Sequence, residues 1–266
     1  MQNSEDHPIQ NKCIDEGSGE AIILLYGLFG SARNFRYLAD HLKKNYRVII
    51  PILPFYNSGL SVTIFCLTEF VHQLTEELNL EKFHLLGNSM GGHIALLYTL
   101  KYPEKVQSVI LSGSSGLFEN GMGYSFPRRK MYDYIKSKTE LTFYKPETAT
   151  KELVDEIYEI VNSRKALHIL SLAKSTIRNN LEKELHKITA PCCLIWGRQD
   201  VITPPYVAED FKRLIPHGHL YWIDECGHVP MLETPESFNE VIDHFMSNIR
   251  TPLMAGMDSP AETRLH

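Results

Sequence analysis

Six short apolar runs, at residues 21–26, 47–53, 83–86, 106–111, 192–196 and 220–223, alternate with segments whose apolar residues recur every three or four positions. Such alternation predicts an α/β architecture, a mostly parallel sheet with helices on both faces, because parallel strands need crossovers that return over one face. Most of the runs are apolar at consecutive positions, as strands covered on both sides must be. Helices are predicted over 32–43, 67–78, 91–101, 206–214 and 236–248.

One long segment, 116–187, interrupts the rhythm: it holds no strand-like run, yet shows helical spacing over 151–161 and 166–177. It reads as a helical insertion, a lid or cap over the carboxyl edge of the sheet, where open α/β sheets bind ligands. The alternative is an ordinary crossover with extra turns. Residues 1–115 and 188–250 then form a single core, and the polar, aperiodic stretch 251–266 reads as a flexible tail.

Composition narrows the function classes. A net charge of -5, with Arg128, Arg129 and Lys130 the one tight basic run, argues against a nucleic-acid partner. The polar, acidic start carries no targeting signal, and no apolar stretch is long enough to span a bilayer. The five cysteines, at 13, 66, 192, 193 and 226, match neither a metal-ligand spacing nor a disulfide framework, so the expectation is a reducing cytoplasm. Cys192 and Cys193 are adjacent in a predicted strand and read as small apolar packing on opposite faces. A monomer or homodimer is expected, with a small-molecule substrate, no membrane partner, no metal and no cofactor.

The chemistry concentrates where strands end. Gly87-Asn88-Ser89-Met90-Gly91-Gly92 follows the strand 83–86 and opens the helix 91–101, and it contains G-x-S-x-G. A sharp strand-to-helix turn exposes the serine while small flanking residues let neighbouring backbone approach, and the helix N-terminus beneath favours an oxyanion. Ser89 is therefore the candidate nucleophile. A serine hydroxyl needs a base, and the base an orienting acid, in the chain order Ser, Asp or Glu, His. Asp200, in the Trp196-Gly197-Arg198-Gln199-Asp200 loop, is the leading acid, and His228, in Asp224-Glu225-Cys226-Gly227-His228, the leading base. Asp224 and Glu225 are secondary candidates for the acid, and His93 reads as structural.

An oxyanion hole needs two donors. Met90, directly after the nucleophile, supplies one. The loop Tyr26-Gly27-Leu28-Phe29-Gly30-Ser31 supplies the other, with the N–H of Leu28 the leading candidate and that of Phe29 the alternative. Phe29, Phe118, Tyr124, Phe126 and Phe143 are candidate lining for an apolar acyl or aromatic pocket, although aromatics in a lid serve its own packing equally well. Asn88 and Val229, neighbours of the nucleophile and base, are further substrate-binding candidates.

These motifs give the chain a resemblance, from about residue 20 to 249, to the serine hydrolases of the α/β-hydrolase fold. The resemblance rests on the G-N-S-M-G-G elbow, the W-G-x-x-D loop and the G-H-x-P-x-x-E-x-P segment from Gly227 to Pro235. It implies hydrolysis of an ester or related acyl bond through a Ser-His-Asp triad and an acyl-enzyme. Asn88 and the W-G-R-x-D loop are also similar to meta-cleavage-product C–C hydrolases, relatives of carboxylesterases. The chain departs from those patterns at Val229, where a larger residue such as Trp is usual, and at Tyr26, where His is usual. Their substrate-binding Arg has no clear counterpart, and the short stretch before Ala21 implies that the first strand of the usual eight is missing or reduced.

Rival motifs are weaker. Ser171-Leu172-Ala173-Lys174 matches S-x-x-K without its partner motifs, and Tyr132 to Lys136 matches Y-x-x-x-K without a glycine-rich dinucleotide turn. A rival of another class is a ligand sensor that keeps a triad and signals through its lid, which slow turnover would betray.

Overall fold

The computed structural model describes residues 12–56, 62–120 and 128–250. Seven strands, β1 (Cys13–Gly17), β2 (Ala21–Leu25), β3 (Arg47–Pro51), β4 (Phe83–Asn88), β5 (Val106–Ser112), β6 (Cys192–Gly197) and β7 (Gly218–Ile223), form one sheet among these residues. Its order is β1-β3-β2-β4-β5-β6-β7, parallel throughout except for β1, which runs antiparallel to β3. All six strands expected from the apolar runs are present. Strands β2, β4 and β6 are buried at every position, which is why their sequences do not alternate. Cys192 and Cys193 lie fully buried in β6, and burial pushes both thiols up.

β1 escaped the sequence reading for a physical reason. An edge strand with one buried residue followed by four exposed ones has no apolar run to detect. It is held by the ladder to β3 and by Arg47, whose guanidinium donates to the Asp15 carboxylate at 2.7 and 2.9 Å.

The helices follow the expected spacing with shifted ends. The segment expected as one helix over 32–43 is a 3-10 turn, Ala32–Phe35, leading into α1 (Arg36–Leu42), with Ser31 and Asn34 in a reciprocal cap. α2 (Ile64–Glu77) starts earlier than its apolar pattern because Thr63 accepts from the Cys66 N–H and caps it. α3 (Met90–Lys101) is buried on nearly every side, as a helix leaving the centre of a sheet should be.

Between β5 and β6 lie α4 (Tyr132–Glu140), α5 (Lys151–Asn162) and α6 (Lys165–Arg178). α5 and α6 match their periodicity. α4 was not expected, because only Ile135 and Thr139 of its nine residues are buried. Ile135, Ile157 and Val161 form a small apolar cluster of their own between α4 and α5. α7 (Pro205–Leu214), α8 (Pro230–Glu233) and α9 (Pro235–Arg250) are the last helices among the described residues, each opened by a proline at its first position.

Two rejected motifs find structural roles. Ser171 donates to the Val62 carbonyl, tying α6 to the start of α2, and Tyr132 donates to Asp155, joining α4 to α5. Among the described residues no helix is long and apolar enough to cross a membrane. Phe126, Tyr124 and the stretch 251–266 lie outside the described residues.

The register decides where the site falls. Leu25 pairs with Gly87, Asn88 with Ser112, Ser112 with Ile195 and Gly197 with Ile223, so five strands end side by side. The chain leaves β2 for β3 on one side and returns to β4 on the other. The crevice of this topological switch opens between the ends of β2 and β4.

Candidate active site

Ser89 stands in that crevice between β4 and α3. Its backbone takes φ 55° and ψ -123°, a left-handed conformation that costs a non-glycine residue of order 1–3 kcal/mol. The turn is held by its own backbone: Ser89 N–H donates to Ser112 O at 3.0 Å, while Ser89 O accepts from Gly92, His93 and Ser115. Gly91 has to be glycine, since a Cβ there would lie 1.9 Å from the Leu25 carbonyl oxygen. Ser89 is half-buried amid buried neighbours, and α3 begins beneath it at Met90, so the Met90 N–H has no acceptor within the helix.

The loop after β2 faces the serine. A Cβ on Gly27 would come within 2.8 Å of Ser89 Cβ and 3.3 Å of its Oγ. The loop turns through a bond from Gly30 N–H to Gly27 O at 3.0 Å, with Phe29 at φ 60°. Leu28 and Phe29 are half-buried, and the Phe29 ring packs against the Ile135, Ile157 and Val161 cluster. Tyr26, the departure from the expected histidine, reaches the other way. Its hydroxyl accepts from the buried Leu53 N–H at 2.8 Å, and its ring meets Phe55 edge-on. Tyrosine here anchors the loop to the segment after β3.

Asp200 and His228 are in direct contact, Oδ2 to Nδ1 at 2.8 Å, with the Asp200 side chain fully buried and that of His228 nearly so. The carboxylate is saturated: Oδ1 accepts from the N–H groups of Ile202 and Thr203, and Oδ2 also accepts from Thr203 Oγ1 at 2.8 Å. Thr203 is fixed in turn by the Trp196 indole, which donates to its carbonyl. A carboxylate held this way orients one imidazole nitrogen and leaves the other free for proton transfer.

Neighbouring groups join this pair to Ser89. Asn88 Nδ2 donates to both Ser112 O and His228 O at 3.0 Å, a bridge from the residue before the serine to the backbone of the histidine. Gly113, at φ 48°, leaves space that a Cβ would fill at 3.0 Å from both Asp200 Oδ2 and His228 Nδ1. Asp224, the alternative acid, instead pairs with Arg198 at 2.7 Å on an exposed surface.

Several supporting residues carried no role in the sequence reading. Gln199 accepts from Cys226 N–H, lacing the acid and base loops together. Glu233 accepts from Gly227 N–H at 2.7 Å and from Lys145 N–H at 2.7 Å, so the final Glu of the G-H-x-P-x-x-E segment clamps the base loop to the inserted segment. His228 N–H donates to Thr142 O at 2.8 Å in that same segment. The motif was visible, but its partner Lys145 lies 88 positions away. His93 bonds Asn179 after α6, and burial pushes its imidazole down to about 4.

The substrate-binding candidates are scattered. Asn88 is engaged with backbone, Val229 is buried at the start of α8, and Phe143 is buried. Phe118 is exposed, its ring tilted against that of Tyr206 of α7 with centroids 5.9 Å apart. Among the described residues no group of three or more His, Cys, Asp or Glu side chains is placed to hold a metal ion.

An open sheet with a strained serine at its switch point and a buried Asp-His pair on the neighbouring loops defines an α/β hydrolase. The sequence model for the alpha/beta hydrolase fold matches residues 20–140. A solved structure, MGS-MChE2, an alpha/beta hydrolase enzyme from the metagenome of lagoon sediments of Mar Chica, Morocco, is 39% identical with a TM-score of 0.74, covering 90% of this chain and 95% of that one. The chain belongs to the α/β hydrolase family. Curated relatives include Lipase 3 of Moraxella sp. (strain TA144), 29% identical over 82% of this chain and 75% of the relative. Another is the 2-hydroxy-6-oxononadienedioate/2-hydroxy-6-oxononatrienedioate hydrolase of Comamonas testosteroni, 29% identical over 88% and 90%.

Proposed function

We propose that this protein is a serine hydrolase that cleaves an ester or related acyl bond of a small, mostly apolar substrate through an acyl-enzyme. The observation that carries the reading is the buried Asp200–His228 contact, tied through Asn88 to the strained turn at Ser89. In this reading Ser89 Oγ attacks the acyl carbon and His228 Nε2 takes its proton. Asp200 holds the imidazolium that forms, and the N–H groups of Met90 and Leu28 receive the oxyanion, a contribution of several kcal/mol in enzymes of this kind. His228 passes its proton to the leaving alcohol. Water, deprotonated by His228, then attacks the acyl-enzyme, and His228 returns that proton to Ser89 Oγ as the carboxylic acid leaves.

Residues 116–187 act as a lid in this reading, supported by the bonds that the inserted segment makes to His228 and Glu233. The named relatives support two substrate classes, lipids and C–C bonds of dienedioates. Ester cleavage is the preferred one, because the one arginine of the acid loop, Arg198, is paired with Asp224 on an exposed surface, away from the buried Asp200–His228 contact. Cys192, Cys193 and Cys226 are buried free thiols, which supports a reducing compartment.

The test is turnover of p-nitrophenyl esters by the wild type and by Ser89→Ala, with fluorophosphonate labelling mapped by mass spectrometry. Repeated turnover that disappears in Ser89→Ala, with label on Ser89, is expected. Label on another residue, or wild-type rates in Ser89→Ala, would falsify the assignment, and a single slow turnover would favour a sensor.

A further inference from the structure

The segment leaving β5 carries a carboxylate that the mechanism does not use. Ser115, three residues past the end of the strand, donates its N–H to Ser89 O at 3.1 Å and its hydroxyl to Glu119 Oε2. The next residue, Asn120, donates its N–H to Ile202 O at 2.7 Å and its side-chain amide to Val201 O at 2.6 Å. Glu119 is thereby fixed between the elbow at Ser89 and the loop directly after Asp200. Asn180 adds a third tie, donating to Leu117 O at 3.0 Å.

We propose that Glu119 is a specificity-determining residue of this site, disfavouring acyl groups that carry a carboxylate and favouring neutral ones. The inference rests on the serine-hydrolase reading above and deepens it. Glu119 is half-buried and within electrostatic reach of His228; burial holds its carboxyl above the ordinary range, while Ser115 and His228 act in the opposite direction. A hydroxyl donor alone does not call for a charge, since a glutamine oxygen accepts the Ser115 bond equally well. What a carboxylate adds is a negative potential in a site of low dielectric, where a second anion a few ångströms away is repelled far more strongly than in water. Neutral acyl chains meet no such barrier.

The experiment compares two esters of matched shape, mono-p-nitrophenyl glutarate and its neutral primary amide, at pH 8 and low salt. The wild type should prefer the amide by about tenfold or more in kcat/KM, a ratio of the size expected for one close like-charge contact. Glu119→Gln should collapse the ratio to within about threefold, and Glu119→Asp, which keeps the charge, should restore most of it. Equal turnover of the two esters by the wild type overturns the proposal without any variant, as does an unchanged ratio in a folded Glu119→Gln. If the wild type hydrolyses neither ester, the serine-hydrolase reading itself fails, an outcome distinct from both.

Discussion

Asn88 donates its side-chain amide to the backbone carbonyl of His228 at 3.0 Å, across 140 positions of sequence. The residue before the candidate nucleophile therefore sets the height of the candidate base, and the same amide nitrogen also holds the end of β5 through Ser112 O. Asn88 is buried, so neither carbonyl has an easy substitute donor.

Removing that bridge should loosen the base without removing it. Asn88→Ala is expected to lower kcat by roughly tenfold to a hundredfold with a smaller change in KM, and to cost about 2 kcal/mol of stability for two buried acceptors left short of a donor. Asn88→Asp should be worse on both counts, since it sets a carboxylate against two carbonyl oxygens. Steady-state kinetics and urea unfolding separate the two effects.

Asp200 is expected to matter through orientation. In Asp200→Asn the Thr203 contacts persist in part, but the group facing His228 Nδ1 no longer stabilises the imidazolium, and kcat should fall by about a thousandfold or more. A loss under tenfold, with the fold intact by circular dichroism, would remove Asp200 from the mechanism.

Tyr26→Phe isolates the anchor of the loop facing Ser89. The Leu53 N–H loses its buried acceptor, at a cost of about 1–3 kcal/mol, with the ring contact to Phe55 preserved. Thermal unfolding should report a clear drop in Tm. An unchanged Tm would mean that water takes over the acceptor role.

Phe29 combines a left-handed backbone with a ring packed on the inserted helices. Phe29→Ala and Phe29→Gly both lose the ring, but only glycine relieves the backbone, so the glycine variant should be the more stable by about 1 kcal/mol. Reversal of that order in paired urea titrations would contradict the strain.

Two buried histidines predict acid sensitivity. Burial pushes His84 and His93 each down to about 4 from an ordinary value of 6.5. Between these limits the unfolded chain binds protons that the folded chain excludes, so stability is full above pH 6.5 and falls as the pH drops toward 4. The loss is about 1 kcal/mol per histidine at pH 5.5. Urea midpoints at pH 7.5 and 5.5 should differ in the wild type, and the difference should shrink in a His84→Gln/His93→Gln variant.

The six core strands, the helices α5 and α6, and the candidates Ser89, Asp200 and His228 were legible because each rests on a local signal: an apolar run, a helical period, or a glycine turn after a strand. Strand β1 and helix α4 were not, because each buries too few residues to leave a pattern. The polar frame was equally silent. Asn88 on His228 O, Glu233 on Lys145 N–H, Tyr26 on Leu53 N–H, and the N–H groups of Ser115 and Asn120 on Ser89 O and Ile202 O join residues far apart in the chain. Sequence alone determined the class of fold and the nature of the chemistry, since both follow from local spacing. Only the tertiary structure decided which donors and acceptors meet, because a hydrogen bond depends on distance and direction in space, and the register of the sheet sets both.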